Sequence, residues 1–231
     1  MIGLITDIET TGYKKITNGR LDDGSEILEV GFIRVDMDTA EIINSGTLYF
    51  YKDYFRVESE AQKVHGLKRS FLEQYADKFD NNLIVLNSLI QQTCIIGKNS
   101  DGFDIPYIKE FILKHADDAL DIAHAVYKAK IKSWEDNKTQ VFYNADAYAL
   151  DLQSYFKQEF HKLYHEKYGT YLNQRKIGTL EEWVDVLGCK PEVDALYASL
   201  PKERETGAHG ALYDVCMTYY VWKYCKEHEL Y

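Results

Sequence analysis

The first ten residues hold the feature that most constrains the fold, an apolar run that leads directly into two acidic residues. Residues 2–5 read Ile-Gly-Leu-Ile, and Asp7 and Glu9 follow. If this run is a buried strand, alternate side chains share a face, so Asp7 and Glu9 project together with alpha carbons roughly 6 to 7 Å apart. Paired carboxylates repel each other unless a cation lies between them, and Mg²⁺ and Mn²⁺ prefer such oxygen ligands. The sequence therefore predicts a metal site at the start of the chain.

Composition favours one globular domain. The chain has 231 residues, 45% of them apolar, which is enough for one sizeable core. No uncharged run approaches a membrane span, so we expect a soluble, cytoplasmic protein without membrane contact. The four cysteines form no C-x-x-C pair and suit reduced core thiols. The net charge of −10 argues against a protein that coats nucleic acid, although it does not exclude a nucleic-acid enzyme with a small footprint.

The first half of the chain has a mixed strand and helix pattern. Residues 13–25 are polar and irregular and predict a loop. Residues 27–35 and 42–51 are rich in β-branched and aromatic side chains and predict an antiparallel hairpin. A helix over residues 58–64 should end at Gly66, and amphipathic helices should follow over residues 71–79 and 83–91.

A short buried strand over residues 93–98 precedes Asp104, and Pro106 fits the first turn of the helix that follows. Alone, Asp104 is more simply interpreted as a helix N-cap than as a site residue. Beyond it we expect a helix over residues 117–130, a strand over 141–144 and a helix from Ala147 capped by Asp146. Residues 152–176 are rich in tyrosine and charge and predict an added helical segment.

Two histidine patterns follow. His161 and His165 have a spacing that can chelate zinc, but they lack the Glu of H-E-x-x-H, which favours surface histidines. Near the end, His209 lies between two glycines, and residues 211–226 have the periodicity of a closing helix that contains Asp214. Side chains five residues apart on one helix diverge, so His209 can join Asp214 only from the preceding loop.

Together these blocks resemble the three exonuclease motifs of the DEDDh family, whose members include the proofreading epsilon subunit of bacterial DNA polymerase III. The motifs are Asp7-x-Glu9, Asp104 in an Asn-x-x-x-Phe-Asp-x-Pro context, and His209 with Asp214. Residues 61–67, 146–152 and 179–188 also resemble family segments, in the same order. The resemblance implies an α/β, RNase H-like fold: a mixed central sheet flanked by helices. We expect one exonuclease domain over residues 1–231, with insertions at about 13–25 and 152–176, the latter a helical insertion before the last motif.

The resemblance also implies roles for individual residues. The four carboxylates, Asp7, Glu9, Asp104 and Asp214, would hold two divalent ions, Mg²⁺ or Mn²⁺, and His209 would be the general base. Contacts to the terminal nucleotide would come from Thr10, Thr11, Gly12, His65, Asn99 and Phe103. Phe103 is equally well interpreted as a core aromatic, and His65 as part of a helix terminus.

The implied activity is 3'-to-5' hydrolysis of single-stranded ends with release of nucleoside 5'-monophosphates. DNA is favoured over RNA because residues 65–67, His-Gly-Leu, resemble DNA-degrading members. A DNA polymerase is a candidate partner. Two alternatives stay open: a noncatalytic nucleic-acid-binding subunit with the same fold, and a metal-dependent phosphatase or nucleotide hydrolase.

Overall fold

The computed structural model describes residues 1–12, 16–17, 20–21, 25–90, 93–100, 102–115 and 149–231. Its centre is a five-stranded sheet made of β1 (Ile2–Thr10), β4 (Ile27–Asp36), β5 (Ile42–Tyr49), β6 (Cys94–Gly97) and β7 (Ala149–Asp151). Within these described ranges, no helix is long and apolar enough to cross a membrane.

The strands follow the order β5-β4-β1-β6-β7, so β1 is the middle strand. It pairs antiparallel with β4 and parallel with β6, while β4 and β5 form the predicted antiparallel hairpin. The Asp36 carboxylate stabilises the hairpin turn by accepting hydrogen bonds from the backbone amides of Asp38 and Thr39. The mixed sheet predicted from the sequence is confirmed.

Helices cover both faces of the sheet. Among the described residues, those before β7 are α1 (Ser59–His65), α2 (Arg69–Leu72), α3 (Phe79–Ile90) and α4 (Asp104–His115). Those after it are α5 (Leu152–Tyr168), α6 (Leu180–Leu187), α7 (Lys190–Ser199) and α8 (Ala211–Glu227). As predicted, α1 ends at Gly66, whose φ of 69° is left-handed. The four cysteines are free.

Alternation along β1 divides the core in two. Leu4 and Ile8 pack on one face with residues of α3 and α4. Ile5 packs on the opposite face with residues of α5, α6 and α8. Because residues two apart in a strand point the same way, Asp7 and Glu9 lie on the Ile5 face, towards α8. The central strand thus delivers both carboxylates to the helix that carries Asp214.

Several local predictions were wrong. Residues 71–79 are not one helix: α2 is followed by a 3₁₀ helix (Glu73–Lys78). The regular helix is interrupted in this segment, where the rings of Phe71 and Tyr75 both pack against the ring of Tyr49. The ring centroids lie 5.0 and 4.7 Å from that of Tyr49. The predicted loop over residues 13–25 contains two short paired strands, β2 (Ile16–Thr17) and β3 (Arg20–Leu21).

The helix predicted from Ala147 was also misplaced. Residues 149–151 form β7, which pairs in parallel with β6 and buries Leu150 in the core. The helix begins at Leu152, and the Asp151 carboxylate caps it by accepting a hydrogen bond from the Gln153 amide at 2.9 Å. Asp146 and the elements predicted over residues 117–130 and 141–144 lie outside the described residues.

Candidate active site

Three carboxylates from two elements converge beside the sheet. Asp7 and Glu9 come from the end of β1, and Asp214 comes from the first turn of α8. Each offers a carboxylate oxygen, and these oxygens all lie within 4.8 Å of one another. Gly31 on β4 lets α8 approach, since a Cβ there would lie 2.4 Å from the Ala211 carbonyl carbon. The cluster has the spacing and the oxygen ligands that a divalent metal ion requires.

Asp104 lies close enough to this group for its charge to act on Asp7. It is the first residue of α4 and is only 3% exposed. Its carboxylate accepts a hydrogen bond from the backbone amide of Ile8 on β1. Its Oδ1 atom has no hydrogen-bond partner among the described residues. A buried carboxylate oxygen without a partner is costly. A metal ion or a metal-bound water at this position would satisfy it.

The four carboxylates strongly perturb one another. Burial, and then the charges of Asp104 and Asp214, raise the pKa of Asp7 well above its usual range. Burial is also the largest cause that raises the pKa of Glu9 to about 9, of Asp104 to about 8 and of Asp214 to about 7. Four such groups would hold protons near neutral pH unless a cation compensated them. The electrostatics therefore agree with the geometry in favouring a metal site.

His209 lies on the loop before α8, as the spacing requires. Its φ of 66° is left-handed, and its backbone amide donates to Asp214 Oδ1 at 3.2 Å. Its imidazole is 57% exposed, with Nε2 at 3.9 Å from Glu181 Oε1. The loop holds the His209 backbone against the acidic cluster and leaves the ring exposed to solvent.

Several charged neighbours of the site were not identified from the sequence. Glu29 on β4 lies directly opposite Glu9 on β1 and forms an ion pair with Arg204. Lys98 follows β6, and its Nζ lies 5.2 Å from the centre of the Trp183 ring. Burial lowers the pKa of Lys98, whereas the nearby acids, led by Glu181, oppose that shift. The register of the β1 and β4 strands could have revealed Glu29, but only once the pairing was known.

The predicted nucleotide contacts at Thr10, Thr11 and Gly12 form the turn after β1. The Thr10 hydroxyl donates to the Gly12 carbonyl at 3.0 Å, and the Thr11 hydroxyl accepts from the Glu26 amide at 2.9 Å. Both side chains are therefore buried and internally bonded. A Cβ on Gly12 would lie 2.4 Å from the Glu58 carboxyl carbon, so only glycine fits without displacing that side chain.

The other three predicted contacts have different settings. His65 is buried beside the Thr10 backbone, accepts from the Leu67 amide through Nδ1, and has no partner for Nε2 among the described residues. Burial, and then Arg204, lower its pKa to about 4. Asn99 is exposed and has a left-handed φ of 60°. The Phe103 ring packs against the Tyr107 ring, with centroids 4.5 Å apart. Contact of these residues with a nucleotide stays a prediction.

Comparisons with known proteins agree with this geometry. The sequence model of the exonuclease family, RNase_T, matches residues 4–222. A comparison with curated protein sequences gave no significant match.

Solved structures share the fold. One is E. coli exonuclease I in complex with a dT13 oligonucleotide, with a TM-score of 0.60 and 17% identity over 97% of this chain and 41% of that chain. A zinc-bound E. coli exonuclease I–ssDNA complex has a TM-score of 0.60 and 16% identity over 99% of this chain and 41% of that chain. Exonuclease I from Methylocaldum szegediense has a TM-score of 0.58 and 16% identity over 99% of this chain and 41% of that chain. This chain thus spans about two-fifths of the length of these structures.

Proposed function

Because the chain belongs to the exonuclease family, we propose that it is a metal-dependent 3'-to-5' exonuclease that removes nucleoside 5'-monophosphates from single-stranded ends. The observation that carries this proposal is the meeting of Asp7, Glu9, Asp104 and Asp214 beside a loop histidine. These residues match the DEDDh pattern in type and in order along the chain. The assignment to that branch, and the single domain with its two insertions, belong to the same proposal.

The carboxylates would hold the metal ions. Asp7, Glu9 and Asp214 would share one ion, and Asp7 with Asp104 would support a second. Two divalent ions, Mg²⁺ or Mn²⁺, would activate a water and stabilise the departing 3'-oxygen. The orphaned Oδ1 of Asp104 supports this assignment, since a single ion among the other three residues would leave it without a partner.

His209 would take the proton from the attacking water. The oxygen of that water forms a bond to phosphorus, the bond from phosphorus to the 3'-oxygen breaks, and the 3'-oxygen leaves with a proton from solvent. Imidazole suits the role because its ordinary pKa lies near working pH. The exposed ring on a loop supports this role, since it can reach a strand that enters from solvent. The nearby Glu181 carboxylate would stabilise the charged ring.

The turn after β1 would receive the terminal nucleotide. With both threonine hydroxyls internally bonded, Thr10 and Thr11 would contact the nucleotide through their backbone. His65 would offer its Nε2 proton, since Nδ1 already accepts a hydrogen bond. Asn99 and Phe103 would line the other side. DNA is the preferred substrate in this proposal, RNA is the alternative, and a DNA polymerase remains a candidate partner.

Product analysis separates this function from the alternatives. Purified protein with Mn²⁺ is given labelled single-stranded DNA, labelled RNA and free nucleoside triphosphates, and the products are resolved by chromatography. Release of nucleoside 5'-monophosphates from DNA, faster than from RNA, is expected. Release of inorganic phosphate from the triphosphates alone would indicate a nucleotide hydrolase, and binding without any product would indicate a noncatalytic subunit.

A further inference from the structure

Residues 152–176 differ in charge from the rest of the chain. They contain five Lys or Arg residues and two Glu residues, a net charge of +3 in a chain of −10. They also contain four tyrosines. Exposed lysine and tyrosine are the residue types that bind the phosphates and bases of single-stranded nucleic acid.

The tyrosines of this segment lie among its basic groups. Tyr171, 84% exposed, stacks on His165 with ring centroids 3.7 Å apart and planes 14° apart. Tyr168 is 46% exposed, and its ring centroid lies 4.6 Å from that of Tyr164. Lys176 Nζ lies 5.8 Å from the centre of the Tyr164 ring. We call this set the aromatic-basic face; its members are Tyr164, His165, Tyr168, Tyr171, Arg175 and Lys176.

Two rings of the face, those of Tyr168 and Tyr171, lie outside the hydrophobic core, whereas Tyr164 packs against it. Tyr171 is the most exposed large apolar or aromatic side chain in the described part of the chain, and Tyr168 is exposed as well, with its hydroxyl donating to the Asp185 carboxylate. The Arg175 guanidinium has no carboxylate partner within the described ranges, and its neighbours Asn173 and Gln174 are exposed. The His161 ring does not join His165 in a metal site, because its Nε2 is bonded to the Lys176 carbonyl at 2.6 Å.

The face is joined to the acidic cluster through α6. Lys176 forms an ion pair with Glu182 at 2.5 Å, and Trp183 donates to the Ile177 carbonyl at 2.7 Å. Glu181, next in the chain to Glu182, is the carboxylate nearest to the His209 ring. On its other side the Trp183 ring meets Lys98, whose charge interacts with Asp7. Consecutive residues of α6 therefore contact both the aromatic-basic face and residues that surround the acidic cluster.

We propose that the aromatic-basic face binds the single-stranded nucleic acid upstream of the end that is being hydrolysed. Bases stack on Tyr168 and Tyr171, and phosphates pair with Arg175 and Lys176. This inference rests on the proposed function. It gives a chain of net charge −10 a local site for a polyanion, since residues 152–176 carry a net charge of +3.

The test compares a long and a short substrate. The double variant Tyr171→Ala, Arg175→Ala is matched with Tyr54→Ala, Arg69→Ala, which removes a tyrosine that is 58% exposed and an arginine whose side chain is 65% exposed, both outside the face. Binding of fluorescein-labelled oligo(dT) of about 20 nucleotides is measured in EDTA over a range of salt concentrations. Hydrolysis of the same oligo(dT) and of a trinucleotide is measured with Mn²⁺.

The face variant should bind the long strand about tenfold more weakly, with the magnitude of the salt slope reduced by about 0.7, while the matched control binds like the parent. Trinucleotide hydrolysis should be unchanged. The inference is overturned if the face variant binds the long strand as tightly as the parent does. It is also overturned if the variant loses function equally on the long strand and on the trinucleotide, or if only its self-association changes. If the parent protein hydrolyses neither substrate, the proposed function itself fails.

Discussion

Arg204 donates from Nη2 to the Glu29 carboxylate at 2.5 Å, which joins the segment before His209 to the strand beside the acidic cluster. Its Nη1 donates to the His65 carbonyl at 3.0 Å. The Glu29 side chain is 2% exposed and lies opposite Glu9, so this ion pair keeps one further negative charge from adding uncompensated repulsion to the site. The same guanidinium thus bridges β4, the end of α1 and the His209 loop.

Replacing Arg204 should therefore destabilise the fold. In Arg204→Met the buried Glu29 carboxylate loses its partner, and the expected loss in free energy of unfolding is about 3 kcal/mol. Urea denaturation followed by circular dichroism measures it. The double variant Glu29→Gln, Arg204→Met should recover part of the loss, because no unpaired charge remains. An Arg204→Met midpoint equal to that of the parent would show that the pair contributes nothing to stability.

Removing one site carboxylate should stabilise the metal-free protein. In EDTA, Asp7→Asn relieves repulsion among the four acids and should raise the melting temperature by about 2 to 4 °C, the shift that about 1 kcal/mol gives for this chain length. Mg²⁺ or Mn²⁺ should raise the melting temperature of the parent but not that of the variant. Asp53→Asn, at a side chain that is 93% exposed, is the control and should behave like the parent. A metal response retained in Asp7→Asn would place the ion elsewhere.

The metal-free protein should lose stability as pH rises. In the folded state the pKa is about 7 for Asp214, about 8 for Asp104 and about 9 for Glu9, all above their values in an unfolded chain. The folded state then binds protons that the unfolded state has released, so its advantage is complete at low pH, declines above the unfolded values of about 4, and is lost once pH passes each folded value. Melting temperatures in EDTA should fall from about pH 4.5 to about pH 9, and Asp214→Asn should reduce the slope in the part of this range below about pH 7. Equal slopes for parent and variant would contradict these pKa values.

His209 should be needed for turnover but not for metal binding. Asn tolerates the left-handed backbone found at this position, so His209→Asn should preserve the loop. The turnover rate should fall about 10² to 10⁴-fold, the range for loss of a general base. The metal-dependent rise in melting temperature should remain. Glu181→Gln, which keeps the ring and removes only its charged neighbour, should cost much less; a similar loss in both variants would assign His209 a different role.

The sequence predicts those parts of the fold that depend on local periodicity. Alternation along β1 correctly puts Asp7 and Glu9 on one face, and the glycines around His209 correctly predict a loop before α8. Leu150 shows where periodicity fails: it lies in a three-residue strand, which is too short to display a period, and the sequence pattern predicts a helix there. Arg204 and Glu29 are 175 residues apart in the chain, so their contact follows only from the assembled sheet.

The central claim is tested most directly by the direction of hydrolysis. Single-stranded DNA labelled at its 5' end is incubated with the protein and Mn²⁺, and a second sample carries the label at its 3' end. The 5'-labelled strand should shorten one nucleotide at a time, the 3'-labelled strand should release labelled mononucleotide at once, and Asp7→Asn should do neither. A 5'-labelled strand that releases its label first, or one that stays intact while a control nuclease degrades it, would contradict the account.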